Sequence, residues 1–455
     1  MLTFLTFVLG LVLGPRSFDL AVAPEVTAVE IQLDGQTVTR LTAPPWSFRV
    51  DLGTALVPHQ LKAIGYGPDG QRLAEAQQWL NLPRPPVAIA AVLEREQGQP
   101  PKALSVSWES VFEEQPSSLS VTFDGNALAI GDPKHIPLPP HSLEETHFLR
   151  AEVSFGEGAN ASAEIAYGGA LADEVSTELT AVPVALTEGK ELPPLADLQG
   201  WFTAGDSSLE VIAAERGKAE VVVVRDEGAV SQLERMERQM RDLFSTGLGY
   251  TEGRTLRMAI PLGTDATVRL LFPFPSQSLG VSSRYRLFPS TFEFSHRDAG
   301  TYWVLSKVQL REPPREPQQL TEALAVAGMM ASERGRRRAV VLVVGRDAAD
   351  RRSLPPAEVR RYLRTIGVPL AVWSVDSRRE LWPQDWRPVI DTSTFGKLSD
   401  AVTGLKQELD RQRIVWVKGK YLPQSIQLSS KAHGLVLLSA QAPSPTAAPA
   451  PNHLP

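Results

Sequence analysis

The sequence predicts a multidomain chain: N-terminal all-β sandwich modules followed by an α/β doubly wound (Rossmann-like) domain. In the first part, apolar residues alternate with polar ones and the runs end in Asp-Gly turns, as in Val29, Ile31 and Leu33 before Asp34-Gly35, the signature of half-buried strands in hairpins. The second half instead alternates short apolar β-runs with helical segments, which predicts a sheet covered by helices on both faces. At 455 residues and 43% hydrophobic content the chain has room for two to four cores.

Residues 1–24 open with an apolar, uncharged run from Leu2 to Gly14, followed by Pro15 and Arg16. The run is too short to span a bilayer and has the length of a signal-peptide core, so 1–24 reads as a signal peptide or N-terminal hydrophobic segment. No basic residue precedes it, and Ala21-Val-Ala23 is the candidate cleavage site. The alternatives are a misplaced start codon or an N-terminal core strand.

Residues 25–83 are β throughout. Trp46, Phe48 and Val50 share one face, Leu61, Ala63 and Gly65 follow, and Gly67-Pro68-Asp69-Gly70 is a second turn. A proline-rich joint at 83–86 leads to a second β-module over 84–187. There Leu104, Val106 and Trp108 alternate, as do Leu119, Val121 and Phe123 before Asp124-Gly125, and Leu149, Ala151, Val153 and Phe155. A polar linker, 187–194, precedes the α/β domain, assigned to 195–440 with a β-rich C-terminal tail, and the Ala/Pro-rich residues 441–455 cannot bury a core.

Within 195–440, Val221–Val224 is a short apolar strand, and Ser231-Gln-Leu-Glu234 is a capping box opening a helix with Leu233, Met236, Met240 and Leu243 on one face. Leu256–Leu262 and Val268–Phe274 read as strands, and Leu320, Ala323, Leu324 and Ala327 mark a further helix. Arg336 to Asp376 spells a βαβ unit: an apolar run to Val344, a helix starting at Pro355-Pro356 and stopped by Gly367 and Pro369, then a second apolar run. The Arg334–Arg338 cluster reads as a solvated helix end. A last helix over Leu398–Arg411 precedes β-runs at 414–417 and 435–438.

Two resemblances follow from these residues. The wording of Val29-Glu-Ile-Gln-Leu-Asp-Gly to Gly70 is similar to the immunoglobulin-like modules of bacterial surface proteins. The order of segments from Ala196-Asp-Leu-Gln-Gly-Trp-Phe through Val221-Val-Val-Val-Arg-Asp-Glu-Gly and Gln319-Leu-Thr-Glu-Ala-Leu to the tail Arg413–Ser439 resembles the von Willebrand factor A (VWA)-related domain of acidobacterial proteins. Such a domain implies binding rather than catalysis, through a metal held by Asp-x-Ser-x-Ser after the first strand, a Thr from a second loop and an Asp after the fourth strand. Mg²⁺ demands such near-octahedral hard-oxygen ligands. In this chain Asp226 holds the first position, Gly228 and Val230 stand at the serines, Gln318 falls near the threonine, and Val344 or Gly345 replaces the aspartate. The expectation is a degenerate site that retains only Asp226, with no metal and no cofactor. Glu227, Asp347 or Asp350 could rebuild a different one. The strand C-termini remain the natural crevice, so Asp226, Glu227, Gln318, Gly345, Arg346 and Asp347 form the candidate partner-binding rim.

Other chemistry has little support. There is no cysteine, hence no disulfide partner, thiol nucleophile or thiolate zinc site. A net charge of −6 gives no reason to expect nucleic acid. Gly156-Glu-Gly-Ala-Asn-Ala161 fits a dinucleotide fingerprint by letter, yet the next residues read as a strand where a helix is required. His135, His141 and His147 recur every six residues, a pattern zinc could use if one strand carried them, though prolines intervene. Asp347 and Asp350 are close enough in sequence for general acid/base work, with nothing to pin them in a pocket. No catalytic residue is expected. The sequence thus points to an exported, periplasmic or envelope-associated protein that binds an unidentified protein partner and touches membrane only through the N-terminal segment if uncleaved. The alternatives are a structural envelope protein acting through its sandwiches, or a metalloenzyme using the histidine segment.

Overall fold

The computed structural model describes residues 2–6, 11–82, 87–94, 99–110, 115–155, 160–169, 171–176, 179–245, 262–263, 265–275, 288–291, 293–295, 301–310, 316–346, 350, 354–378 and 384–439. The first module is two facing antiparallel sheets. One orders Gln36–Leu41, Ala28–Leu33, His59–Tyr66 and Arg72–Leu80, and the other Leu2–Phe4, Pro15–Val22 and Ser47–Asp51. The module therefore begins near residue 2 and not at 25. Leu2 and Phe4 point inward, Phe18 is fully buried, and its ring stacks on Phe48 at 5.6 Å. Within the segment read as an export signal, Leu2–Phe4 and Pro15–Val22 are core strands, with Leu2, Phe4, Phe18 and Leu20 packed in one cluster with Val29, Ile31 and Val50.

The second module repeats this plan. Ser118–Phe123, Thr146–Ser154 and Asn160–Gly168 form the centre of a five-stranded sheet, facing a three-stranded sheet built on Val87–Glu94 and Ala103–Ser110. Its core holds Leu104, Val106, Val121, Leu149 and Ile165. Both modules turn at an Asp-Gly pair with positive φ at both residues, 51° and 81° for Asp34-Gly35, 50° and 81° for Asp124-Gly125. This is the backbone that a two-residue hairpin needs.

Strand Leu179–Leu186 does not belong to the second module. It lies between Gln412–Lys418 and Leu435–Leu437 in a sheet completed by Val211–Glu215. A small sheet of Phe202–Ala204, Ser207–Ser208 and Ile426–Leu428 accompanies it, and the shared core includes Val184, Trp201, Phe202, Val415 and Val417. A third β-unit is thus assembled from chain on both sides of the α/β region. Glu215 pairs with Ile414, so entry and exit lie on neighbouring strands, the arrangement in which one domain can be inserted into another.

The inserted unit spans β1 (Ala219–Arg225), α1 (Glu227–Ser245), β2 (Ala266–Leu271), β3 (Phe294–Ser295), α2 (Thr301–Lys307), α3 (Leu320–Ser332), β4 (Arg337–Val344), α4 (Pro356–Thr365), β5 (Leu370–Ser374), β6 (Ile390–Asp391) and α5 (Phe395–Arg411). The sheet runs β3-β2-β1-β4-β5-β6, all parallel except the β3 edge. This is a doubly wound order whose switch point falls between β1 and β4. Val221 and Val223 face one core with Leu233 and Leu398, while Val222 and Val224 face the other with Leu324 and Leu363. That two-sided burial is why β1 and β4 read as unbroken apolar runs. α1 begins at Glu227, a turn before the capping box, and α4 ends as expected with Gly367 at φ 66°. The expected strand at 256–262, except for Leu262, and the tail at 441–455 lie outside the described residues.

The first module docks on this unit. Leu56 is fully buried in the core beneath α3 and α4, and Tyr362 Oη donates to the Asn81 carbonyl at 2.9 Å. At the opposite edge the Arg334–Arg338 cluster is buried, with Arg334 only 1% exposed, which overturns its reading as a solvated helix end. Arg334 donates to Glu220 at 3.0 Å and to Glu293, Arg269 meets Glu293 at 2.6 Å, and Arg336 reaches Glu152 of the second module at 2.6 Å. Arg150 of that module contacts Glu215 at 2.8 Å and lies over the Trp416 ring. Burial works to raise the Glu152 and Glu293 carboxyls, but the surrounding arginines outweigh it. Glu152 is held far below the ordinary range and Glu293 at about 2. For Glu164 burial prevails and its carboxyl is pushed up despite Arg150. Buried pairs of this kind add little net stability, yet they fix geometry because leaving one partner alone is so costly.

Candidate functional site

Asp226 ends β1 at the carboxyl edge of the sheet and is 1% exposed. Its own N–H donates to the Val343 carbonyl at 2.9 Å, which ties it to β4 across the switch point. Its carboxylate accepts from Gln318 Nε2 at 2.7 Å and from the Gly345 N–H at 3.0 Å. The Gln318 amide oxygen in turn accepts the Glu227 N–H at 3.2 Å. The loops after β1, before α3 and after β4 therefore converge on one carboxylate, each oxygen of which accepts a protein donor. Backbone packing closes the space further: a Cβ on Gly345 would stand 2.3 Å from the Gly228 carbonyl carbon and 2.4 Å from Ala229 N. Neighbouring Arg225 is buried and donates to the carbonyls of Leu305 and Val308, and burial lowers its guanidinium to about 10 despite Asp226 nearby.

Four of the six expected rim residues meet here: Asp226, Glu227, Gln318 and Gly345. Arg346 lies beside them, its carbonyl facing Gly228, and Asp347 is outside the described residues. Asp350 is engaged at the start of α3. Its carboxylate accepts the Leu320 N–H at 2.7 Å and so caps α3 from a distant loop. Glu322, on α3, accepts the Leu354 N–H at 3.0 Å.

Next to this cluster lies a cleft of about 620 Å³ between α1 and the segment after β5. Ser231 and Arg235 of α1, Arg346 after β4, and Asp376, Arg378 and Ser393 line it. Arg378 grips Asp376 with two bonds, Nε to Oδ1 at 3.0 Å and Nη2 to Oδ2 at 2.5 Å, and Gln232 Nε2 adds a third at 3.3 Å. That hydrogen bonding to Arg378 holds the Asp376 carboxyl at about 2. Sequence reasoning marked Arg346 alone of these. The others come from three separated segments, and their only linear hint is the run of polar residues closing β5, Ser374-Val-Asp-Ser-Arg378.

The histidine segment is structural. His147 Nδ1 faces Asp124 Oδ2 at 2.8 Å and Nε2 faces the Ser142 carbonyl at 2.7 Å, while Asp124 Oδ1 accepts the Phe148 N–H. His59 repeats the arrangement in the first module, with Nδ1 at 2.7 Å from Asp34 Oδ2 and the next N–H, of Gln60, on Asp34 Oδ1. The Asp-Gly turn and a histidine on the neighbouring strand form one recurring clamp. His141 engages the Pro139 carbonyl and Tyr167 Oη, and His135 pairs with Glu94. Both ring nitrogens of His141 and of His147 are thus engaged within the sandwich. Among the described residues no group of three His, Cys, Asp or Glu is arranged to hold a metal ion. The fingerprint-like residues 156–161 lead into strand Asn160–Gly168, which pairs antiparallel with Thr146–Ser154 and is no helix.

No family model matches the sequence, and no curated protein matches it. Among solved structures, the fibronectin(III)-like modules of Clostridium thermocellum CbhA align at 12% identity over 18% of this chain and 93% of theirs, with a TM-score of 0.16. The central fibronectin-III array of RIM-binding protein aligns at 9% identity over 46% of this chain and 78% of its own, with a TM-score of 0.19. At such scores the alignments add nothing to the sandwich assignment, which rests on the strand pairing itself.

Proposed function

We propose that this chain is a non-enzymatic interaction scaffold whose VWA-like α/β unit binds a protein partner at its sheet rim without a metal ion. The observation that carries this is the Asp226 carboxylate, whose bonds to Gln318 Nε2 and the Gly345 N–H take the place of ion coordination. The β3-β2-β1-β4-β5-β6 order supports the VWA reading, with loops after the first and fourth strands meeting at the switch point. The docked sandwiches and the buried arginine–glutamate cluster give the rim a fixed orientation, as a scaffold requires. The setting we propose is the bacterial envelope, with Leu2–Phe4 and Pro15–Val22 retained as sandwich strands. Fractionation of a tagged chain tests this, and a cytoplasmic location would defeat it.

The binding claim is tested by placing a photo-crosslinking residue at Glu227, and separately at Val38 on the first module, in the full chain. Capture from Glu227 that persists in EDTA is the expected result. Capture from Val38 alone would shift the function to the sandwiches. Loss of capture in EDTA, or heat on titrating Mg²⁺, would restore a metal-dependent site.

A further inference from the structure

A histidine ring held between two acceptors needs a proton on each nitrogen. His147 stands on strand Thr146–Ser154, 6% exposed, with Nδ1 2.8 Å from Asp124 Oδ2 and Nε2 2.7 Å from the Ser142 carbonyl oxygen. A neutral imidazole donates from one nitrogen and accepts at the other. The Ser142 carbonyl can only accept, and Asp124 uses its other oxygen to accept the Phe148 N–H at 2.8 Å. With a single proton, one contact would set lone pair against lone pair in a buried site, where an unmatched acceptor is costly. Both become hydrogen bonds once the His147–Asp124 pair holds one further proton.

The other rings differ. His141 Nδ1 donates to the Pro139 carbonyl at 2.7 Å, which leaves Nε2 to accept from Tyr167 Oη at 2.9 Å. Burial and then the Asp124 charge push the Tyr167 phenol up, which keeps it a donor. His59 Nδ1 donates to Asp34 in the first module, but its buried Nε2 meets no acceptor among the described residues. The two clamps therefore share a turn and a histidine and differ in the second acceptor. Asp124, His141 and Tyr167 are the titratable groups around the His147 ring among the described residues, and Glu144 and Glu145 lie exposed on the adjoining loop.

We propose that His147 is a proton-dependent latch on the second module, which fastens the loop 139–145 while the His147–Asp124 pair holds its extra proton and releases it as rising pH removes that proton. The loop is tied at the Ser142 carbonyl by His147 and at the Leu143 carbonyl by the Gly169 N–H at 2.8 Å, with Leu143 packed on the module's core. The sign follows from counting protons. The fastened loop binds one proton more than the released one, so acid favours closure and alkali favours opening. Release would uncover the end of the core beneath Leu143.

The test is Asp124→Asn in the full chain. Asn-Gly suits the same positive-φ turn, the amide oxygen can still accept the Phe148 N–H, and the amide nitrogen can donate to His147 Nδ1. A neutral ring then satisfies both neighbours, so the variant should keep the loop fastened at every pH. Amide hydrogen exchange at Gly169 reads the latch, and the ratio of parent to variant cancels the intrinsic pH dependence of exchange. From about pH 5 to about pH 9 that ratio should climb by up to about tenfold per pH unit, the limit set by one proton. The same ratio at Gln60, beside His59, should stay constant. Nitrogen NMR of the histidine-labelled parent should show the two-proton form of His147 and the protection of Gly169 disappearing together. A constant ratio at Gly169, or a one-proton His147 beneath a protected Gly169, would overturn the proposal. Circular dichroism checks that Asp124→Asn is folded, and if it is not, the NMR of the parent decides alone.

Discussion

Replacing Gly345 with alanine tests the closed state of the rim most directly. The added methyl group would meet the Gly228 carbonyl carbon at 2.3 Å, Ala229 N at 2.4 Å and Gly228 O at 2.6 Å, all backbone atoms at the start of α1. None can rotate away, so either α1 or the loop after β4 must shift. Forcing such an atom into a packed site costs about 1–3 kcal/mol. A shift of the loop also draws the Gly345 N–H from the Asp226 carboxylate, and a buried acceptor that loses a donor costs about 1–3 kcal/mol more. The total is about 2–6 kcal/mol, roughly a thirty-fold to twenty-thousand-fold rise in local opening. A single unfolding midpoint would mix several units. Amide hydrogen exchange in Val222–Val224 and Val341–Val344, compared with the strands of the first module as internal reference, isolates the sheet. Exchange unchanged at these strands would refute the packing argument and reopen position 345 to larger residues. Gly345→Asp, with a larger side chain at the same point, should be worse still.

Gln318→Ala removes one donor from Asp226 and the acceptor of the Glu227 N–H, and should raise exchange at the same strands by the equivalent of about 1–3 kcal/mol. Unchanged exchange would mean the relay contributes nothing. The Glu293 carboxyl sits at about 2 in the fold against an ordinary 4.5, so its stabilising share is present above about 4.5 and is lost as pH falls toward 2. Unfolding rates measured from pH 6 to pH 3 should rise less steeply in Glu293→Gln than in the parent, and parallel curves would exclude the arginine cluster as the acid-sensitive element. Deleting residues 2–22 removes Leu2, Phe4, Phe18 and Leu20 from the first sandwich, where each buried side chain is worth about 1.5–3 kcal/mol. Limited proteolysis should then cut within 25–82 while sparing the α/β unit. Resistance of that region would show that the two strands are dispensable.

Local rules reached far into this molecule where the chain's own periodicity decides structure. The Asp34-Gly35 and Asp124-Gly125 turns follow from their residue types, as do the limits of α4, because proline and glycine act on the backbone at their own positions. The rim residues Asp226, Gln318 and Gly345 were also legible, since strand ends in a doubly wound sheet must converge. Charged residues were the least legible. Arg334 to Arg338 look in sequence like solvated side chains, and only the partners that tertiary contact supplies, Glu220, Glu293 and Glu152 among them, make their burial possible.

What the sequence determined by itself is the alternation of the strands, the helix ends and the glycines at special φ. Tertiary structure alone decided that Leu2–Phe4 and Pro15–Val22 build a sandwich and that Leu179–Leu186 joins strands more than two hundred residues away. It also turned His147 into a clamp for Asp124 and gathered arginines from three segments around one cleft. The physical reason is the same throughout. Backbone preferences act within a few residues, whereas burial, hydrogen-bond partners and local charge belong to whatever the fold brings alongside.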